Sequence, residues 1–550
     1  MQGKNIRKFT DKTGLWRVLC AAVSICLLLS GCASKEVKEA ETPAPIVLPT
    51  QAPELKPVSG GELRMPMPAN AEINAPYLVN TEEMLGFYSL IYEPLIRIDA
   101  AGKIESCLAE HWECNEAGNI WTFHLRKAKW HDTGENLKAA DVVFSYNKIV
   151  SYAGASYYAF NVTNIITLQA LDDDTLQITM NQPGIALLYA LTFPIVRADF
   201  DLVPGARPIG TGPYKIDQIL GSSISLIINE NWWKQKPYIE KISYFERDSN
   251  STALASYAAG QLNFVPTSNV SVGTYRSQND TQVIDMMSQT AEVLVLNSTN
   301  ADLRKIGIRK AIAYAIDRSS IITNVYMNRA QASDVPIAPD SWLYESKSKI
   351  YDYNTDKAQQ LLAEAGWSDI NGDDVLDKEG SFDSTFSMTL LVCQGAESVR
   401  KSAADMIANQ LAQVGIVVNV ESAAYSLTDP DNDFNKRLSI GDYDMALIGI
   451  NFPRNADLRA LTAVNGAINY GRFSDEALDR LSQNIVKASD EAAYRSAASN
   501  FQLQYVEELP CIILYYRLNS LVCTSLLQGN ENMREPDIFK NIEKWYMYTE

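Results

Sequence analysis

Histidine is scarce in this chain of 550 residues, with three copies, His111, His124 and His131, in one short stretch. No His-x-x-x-His pair and no Cys-x-x-Cys pair occurs, so the residue spacings that usually hold zinc are missing. No Gly-x-Ser-x-Gly elbow occurs either, and three histidines offer few partners for a nucleophilic serine. The sequence therefore predicts no metal site, no cofactor and no enzymatic activity, and an envelope lipoprotein hydrolase remains a disfavoured alternative.

Cysteines are few and odd in number after the first 32 residues. They are Cys107, Cys114, Cys393, Cys511 and Cys523. An odd count excludes a complete disulfide framework, although one or two bridges remain possible in an exported protein. Cys107 and Cys114 form the nearest pair, so a local bridge and free thiols are both open alternatives.

The apolar stretch between Leu19 and Cys32 is too short to cross a bilayer, which takes about 20 apolar residues. Several basic residues precede it, as in an export signal, and it ends in the tetrapeptide LSGC at 29–32. This ending resembles the bacterial lipobox, whose cysteine receives a diacylglyceryl group. We therefore predict a signal peptide over residues 1–31 and a lipid anchor on Cys32, because two acyl chains hold a protein durably at a membrane.

The charge of the chain is strongly negative, at −18, and repels nucleic acid and anionic lipid headgroups. Residues 32–57 are polar and rich in proline, so we expect a flexible linker behind the lipid anchor. The predicted location is the cell envelope, on the outer face of the cytoplasmic membrane, or the periplasm if the organism has an outer membrane. Nearly five hundred residues follow, which is enough for several subdomains.

Hydrophobic periodicity changes along the chain. Residues 121–126 and 176–180 alternate apolar and polar side chains and predict half-buried strands. In the second half, strands at about 386–392, 416–420 and 444–450 accompany helices at about 397–414 and 491–508. A strand, crossover helix and strand in this order are almost always parallel. Residues 511–516 predict a last strand, and both lobes remain open as the place to which it returns.

An ordered set of short motifs resembles the family 5 extracellular solute-binding proteins of ABC importers. The motifs are GELR (61–64), IYEPL (91–95), LAEHWE (108–113), WTFHLR (121–126), KWHD (129–132), ADVVFS (140–145), PIGTGPY (208–214), LN (296–297), RKAIAYAIDR (309–318), AEAGW (363–367) and YDM (443–445). Each motif alone is weak, but their order extends over nearly the whole mature chain.

The resemblance implies an α/β, two-lobed periplasmic-binding-protein-like fold (type II, cluster C) with an extra small domain inserted in the first lobe. It implies a first lobe over 58–290 with the insertion at about 91–205, a second lobe over 291–510, and a return to the first lobe over 511–550. The implied function is a monomeric receptor that delivers a ligand, an oligopeptide first of all, to an ABC permease. A receptor for a sugar, nickel or a chelate is the alternative.

Ligand contacts are harder to place, because this chain departs from the pattern of the peptide-binding members. In those members, a carboxylate shortly after the strand that begins at Asp444 in this chain pairs with the α-amino group of the ligand. In this chain, Pro453 stands near the position of that carboxylate. The expected cleft residues are Tyr77, Asn297, Gln394, Asn451, Arg454 and Asp457. Asn297 could instead serve a strand crossing, and Arg454 could pair with Asp457 at the surface. Arg400 is expected to begin a helix and face solvent.

Overall fold

The computed structural model describes residues 57–74, 76–78, 81–99, 101–152, 156, 158–159, 162–199, 206–394, 398–425, 431–535 and 537–548. Cys32, the predicted signal peptide and nearly all of the predicted linker lie outside these ranges. No helix in this described part of the chain is both long and apolar enough to cross a bilayer.

The strands have the following bounds: β1 Glu62–Pro68, β2 Ile96–Ile98, β3 Ile104–Ser106, β4 Ala109–Cys114, β5 Ile120–Leu125, β6 Ile165–Ala170, β7 Thr175–Met180, β8 Tyr214–Leu220, β9 Ser223–Ile228, β10 Lys241–Arg247, β11 Phe264–Thr267, β12 Thr281–Leu296, β13 Ala330–Ala332, β14 Trp367–Ser368, β15 Asp377–Lys378, β16 Ser381–Thr385, β17 Ser387–Gln394, β18 Val417–Ala424, β19 Met445–Asn451, β20 Cys511–Thr524, β21 Leu527–Gln528 and β22 Tyr546–Met547.

The helices have the following bounds: α1 Glu82–Ile91, α2 Ala139–Ser151, α3 Leu187–Ala190, α4 Asn250–Ala258, α5 Ile306–Ala315, α6 Arg318–Asn324, α7 Thr355–Glu364, α8 Ser398–Ala412, α9 Asp433–Ile440, α10 Arg459–Thr462, α11 Glu476–Val486 and α12 Glu491–Glu508. The last of these has the bounds that the sequence predicts. Asp490 caps it by accepting a hydrogen bond from the Ala493 amide at 2.9 Å.

Three larger sheets organise these elements. The first has the order β1-β10-β9-β8, with β1 parallel to β10 and the other neighbours antiparallel. The second, β4-β5-β7-β6, is antiparallel throughout and contains both alternating strands that the sequence predicts. The third has the order β11-β20-β12-β19-β17-β18, and β13 also pairs with β20. The predicted unit of β17, α8 and β18 is parallel, as expected.

Two long strands of the third sheet, β12 and β20, run through both lobes. Residues 281–287 of β12 pair with 518–524 of β20, and residues 291–295 pair with 511–516. Between these segments the register shifts, so that three residues of β12 stand opposite Arg517. The predicted last strand is therefore longer than expected, and it belongs to both lobes rather than to one.

The same two strands connect two separate hydrophobic cores. Met286 of β12 and Leu521 of β20 are buried in the core of the first lobe, with the first two sheets. Residues 291–296 and 511–516 are buried in the core of the second lobe, with α5, α8 and α12. The molecule is thus the two-lobed α/β fold that the resemblance implies, and β12 and β20 pass between the two cores.

All five cysteines in the described part of the chain are free thiols. Cys107 is buried and Cys114 is exposed, and the two do not form a disulfide bridge. Of the two alternatives left open by the sequence, the structure has the free thiols. Burial raises the pKa of the Cys107 thiol to about 12.

Candidate functional site

The register shift in β12 lies beside the loop that follows β19. Thr290 donates a hydrogen bond from Oγ1 to Oδ1 of Asn451 at 2.5 Å, and the Phe452 amide donates to the Gln289 carbonyl at 3.3 Å. Asn451 is exposed at the end of its strand, as is Gln394 at the end of β17. These contacts hold the loop after β19 against the point where the two lobes join.

A cavity of about 40 Å³ lies at this junction. Its walls come from the shifted segment of β12, from β20, from the loop after β19 and from loops of both lobes. The polar members are Ser288, Gln289, Asp340, Ser341, Arg454, Tyr516 and Arg534. A water molecule needs about 10 to 15 Å³ measured in this way, so the cavity has room for two or three water-sized groups. It is too small for a peptide.

Arg534 connects the cavity wall to both lobes. Its Nη2 lies 3.6 Å from Oδ2 of Asp340, and its Nη1 donates to the Asp99 carbonyl at 2.9 Å. Burial lowers the pKa of the Arg534 guanidinium, and the nearby Asp340 and Asp99 oppose that shift. The side chain remains a cation at neutral pH, because an arginine pKa starts above 12.

A second set of buried charges surrounds Glu292, which lies on β12 just after the register shift. The Glu292 carboxylate accepts hydrogen bonds from Nε and Nη2 of Arg400, at 2.8 and 2.9 Å, and Nη1 of Arg517 lies at 3.8 Å. Burial alone would raise the pKa of Glu292, but the two arginines outweigh it and hold the pKa below its ordinary value. The prediction that Arg400 faces solvent is therefore wrong.

The packing around the start of α8 explains why Arg400 does not face solvent. Arg400 does lie in the first turn of α8, where sequence reasoning expects a solvated polar side chain, but the start of α8 passes close to β12 and β19. A Cβ atom at Gly449 of β19 would stand 2.8 Å from Nη2 of Arg400. Glycine at that position leaves the space that the guanidinium occupies.

Asp457 lies in the same loop as Arg454 but near a different cavity, of about 20 Å³. Its carboxylate is held by Arg459, whose Nε and Nη2 donate hydrogen bonds at 2.7 and 2.6 Å. Asp457 thus has Arg459 as a partner, which the sequence did not suggest. Residues Asn164 and Gln182 of the first lobe also line this small cavity.

The two remaining candidates lie inside the lobes. Tyr77 is 1 % exposed and belongs to the core of the first lobe, where burial raises the pKa of its phenol well above the ordinary value. Asn297 is buried as well, and its amide donates to the carbonyls of Gly441 and Tyr443 at 3.0 and 2.8 Å. The structure brings neither to the junction cavity. Asn297 joins the end of β12 to the start of β19.

The lobes also touch on the side of the inserted strands. The Ile185 amide donates to the Ala488 carbonyl at 2.8 Å, and the Trp342 amide donates to the Ala101 carbonyl at 2.8 Å. Tyr189 lies against Tyr494, with ring centroids 6.0 Å apart. These contacts join the two lobes on this side as well.

Sequence reasoning missed Asp340, Tyr516 and Arg534, which line the junction cavity. They lie on a loop, on β20 and near the end of the chain, and no sequence spacing links them. Among the described residues, no three metal-ligating side chains come together.

Comparisons with known proteins agree with this fold. The family model "Bacterial extracellular solute-binding proteins, family 5 Middle" matches residues 103–467. The oligopeptide-binding protein AppA of Bacillus subtilis is 26 % identical over 518 residues, covering 90 % of this chain and 92 % of its own length. The nickel-binding periplasmic protein of Escherichia coli is 26 % identical over 384 residues, covering 66 % of this chain and 72 % of its own.

Solved structures share the architecture. That of Bacillus subtilis AppA in complex with a nonapeptide superimposes with a TM-score of 0.66 at 24 % identity, and covers 90 % of this chain and all of its own. At this identity the likeness establishes the fold alone. Together with the family match over most of the chain, it places the protein: it belongs to the family 5 bacterial extracellular solute-binding proteins.

Proposed function

We propose that this protein is a receptor that captures an oligopeptide outside the cytoplasm and delivers it to the permease of an ABC importer. The observation that carries the proposal is the pair of strands β12 and β20, which cross from one core to the other with a register shift between them. Such a connection bends without breaking either core, and hinge closure around a ligand is a known mode of capture. The oligopeptide-binding relative, which this chain matches over 90 % of its length, supports the peptide as cargo.

The ligand would bind where the lobes meet. Of the residues predicted from the sequence, Arg454 and Asp457 line cavities of this region, and Asn451 and Gln394 are exposed at the ends of β19 and β17. We propose that all four face the bound ligand. The two cavities described above, of about 20 and 40 Å³, fall far below the 300 Å³ or more that ligand sites usually enclose. Opening of the lobes would therefore precede binding, and closure would follow it.

We further propose that the lobes divide nearly as the sequence predicts, with a first lobe over 58–290 that contains the insertion at about 91–205 and a second lobe over 291–510. The predicted return over 511–550 would reach the first lobe only after residues 511–516, which are buried in the core of the second lobe. The register shift between Met287 and Ala291 supports the first of these limits. The receptor would act as a monomer, held at the envelope by a lipid on Cys32, and would release its ligand unchanged.

Peptide capture can be tested on the purified mature chain. Incubation with a randomised peptide library, followed by gel filtration and mass spectrometry, identifies the peptides that are retained. The retained peptides, resynthesised singly, should raise the melting temperature and lower the radius of gyration in small-angle scattering. If no peptide is retained, or if native mass spectrometry finds a bound metal complex, the ligand is a solute other than a peptide.

The anchor is tested separately in cells. A Cys32→Ser variant should leave the membrane fraction and appear in the soluble or secreted fraction. Cys26→Ser, three residues before the LSGC sequence, serves as the matched control. Equal membrane attachment of the two variants would overturn the lipid anchor without touching the receptor proposal.

A further inference from the structure

We propose that His111 and His124 together bind one divalent transition-metal ion of the kind that imidazole prefers, such as Zn²⁺, at the surface of the sheet β4-β5-β7-β6. Neither histidine lines the two cavities described above, so this site lies apart from the region where the captured ligand is proposed to bind. The metal site is therefore independent of the proposed function, and each can fail without the other.

The two histidines stand opposite each other on neighbouring strands. His111 of β4 pairs with His124 of β5 in the antiparallel register. Side chains that face each other in this way have Cβ atoms about 4.5 to 5.5 Å apart. Their rings stack, with centroids 4.3 Å apart and planes 14° from parallel. The zinc spacings that the sequence lacks lie within one helix or one loop, whereas this pair forms only when two strands meet.

The distance between the rings suits two ligands of one ion. A zinc–nitrogen bond to imidazole is about 2.0 to 2.1 Å long, so two nitrogens on the same ion lie at most about 4.2 Å apart. The ring centroids are separated by 4.3 Å, and the broad χ2 torsion of histidine lets each ring turn one nitrogen toward a shared point. Imidazole suits Zn²⁺, Ni²⁺ and Cu²⁺, whereas Mg²⁺ and Ca²⁺ prefer oxygen ligands.

The ring nitrogens of this pair are accessible to an ion. His111 is exposed and His124 is half-buried. Within the described part of the chain, neither ring donates or accepts a hydrogen bond. The third histidine differs, because Nε2 of His131 lies 3.3 Å from the carbonyl oxygen of Pro208 and its ring is half-buried. The pair is therefore the site at which an ion would meet two unoccupied imidazoles.

Nearby carboxylates favour a cation at the pair. Glu113 is exposed two residues along β4 from His111, on the same face of the sheet. Asp172, before β7, interacts with His124: the Asp174 amide and the Thr175 hydroxyl lower the pKa of Asp172, and the nearby His124 lowers it further. Negative charge at this range attracts a metal ion to the surface.

The cationic side chains that follow β5 are engaged elsewhere. The Arg126 guanidinium lies 3.7 Å from the centroid of the Trp233 ring and donates to the Cys107 carbonyl, while the Lys127 ammonium pairs with Asp174. Among the described residues, no third metal-ligating side chain joins the two histidines. A bound ion would thus keep water in its remaining positions, and it would bind less tightly than a structural zinc with four protein ligands.

Selective labelling of the imidazoles tests the site directly. The mature chain is produced without a histidine tag and with Cys114→Ser, because the exposed Cys114 thiol would also bind Zn²⁺. All three histidines follow the predicted signal peptide, so labelling histidine with ¹³C gives three imidazole signals in NMR spectra. Zn²⁺ should shift the two signals of the pair together and leave that of His131 in place, and Mg²⁺ should shift none. If Zn²⁺ shifts no signal, or shifts His131 as much as the other two, the site does not exist.

Variants assign the binding to the pair. In isothermal titration, His111→Gln and His124→Gln should each weaken Zn²⁺ binding by about tenfold or more, because either change leaves a single protein ligand. The double variant should bind hardly more weakly than either single one. His131→Gln is the matched control and should keep the affinity. Melting temperatures without metal show whether each variant folds, and the labelled parent protein decides the question if one does not. Folded variants that keep the affinity for Zn²⁺ would overturn the proposal, whatever the outcome for peptide capture.

Discussion

The Glu292 carboxylate and the Arg400 guanidinium form two hydrogen bonds across 108 residues of sequence, at 2.8 and 2.9 Å. Glu292 lies on β12 just after its register shift, and Arg400 lies in the first turn of α8. The pair thus ties the strand that connects the lobes to a helix of the second lobe. Because Glu292 is fully buried, neither partner can be removed without consequence.

Replacing Arg400 by leucine should lower the free energy of unfolding by about 3 kcal/mol, because it leaves a buried carboxylate without its main partner. Urea denaturation monitored by circular dichroism measures the change. Lys401→Leu is the matched control, since the adjacent Lys401 pairs with Asp405 at the exposed surface and its loss should cost less than about 1 kcal/mol. Equal losses of unfolding free energy in the two variants would show that the buried pair contributes no more to stability than the exposed pair.

The same pair predicts a dependence of stability on pH. The folded-state pKa of Glu292 lies below its ordinary value near 4.5, so its stabilising contribution is present above that value. The contribution is lost as the pH falls through the folded-state pKa. The difference in unfolding free energy between the wild type and Glu292→Gln should therefore be largest above about pH 5 and shrink as the pH falls below 4.5 toward the lowered folded-state pKa. A difference that is constant with pH would contradict this assignment.

Gly184 offers a way to separate the lobes. Its φ is +150°, and a Cβ atom there would stand 2.0 Å from the carbonyl oxygen of Val486 in the other lobe. Gly184→Ala should therefore push the lobes apart and raise the radius of gyration of the ligand-free protein in small-angle scattering.

Gly260→Ala is the control for this change. Gly260 also has a positive φ, of +72°, but nothing lies within 4 Å of a Cβ at that position. Its substitution should cost backbone strain alone and leave the scattering profile unchanged. If both variants scatter alike, contact at Gly184 does not keep the lobes together.

The free thiols predict a simple labelling pattern. Maleimide should modify Cys114 in the folded protein, because its side chain is exposed, whereas the four buried cysteines should react only in urea: Cys107, Cys393, Cys511 and Cys523. Mass spectrometry counts the labels before and after denaturation. A mass lower by two hydrogens, with Cys107 and Cys114 both unreactive in urea, would instead show that they form a disulfide.

Local patterns in the sequence predicted local structure well. The helix over 491–508 has the predicted bounds, because its apolar spacing and its Asp490 cap are contained within 20 residues. The parallel arrangement of β17 and β18 followed from the helix between them. The order of motifs across the chain led to the family, which the comparisons then established.

What the sequence could not predict depends on contacts between distant residues. Arg400 looks like a solvated residue at the start of a helix, and only folding brings it to Glu292. The cavity is similar, since Gln289, Arg454 and Arg534 come from three separate parts of the chain. Tyr77 and Asn297 are polar enough to suggest ligand contacts, yet each is buried in its own lobe.

The position of β20 also constrains how the protein is made. This strand lies between β11 and β12, and it contains residues 511–524 of a chain that ends at 550. The sheet that β12 and β20 share across both lobes cannot be completed until residues 511–524 have been synthesised, so this pairing forms late. A variant that stops before β20 would therefore leave β11 and β12 without the strand that lies between them.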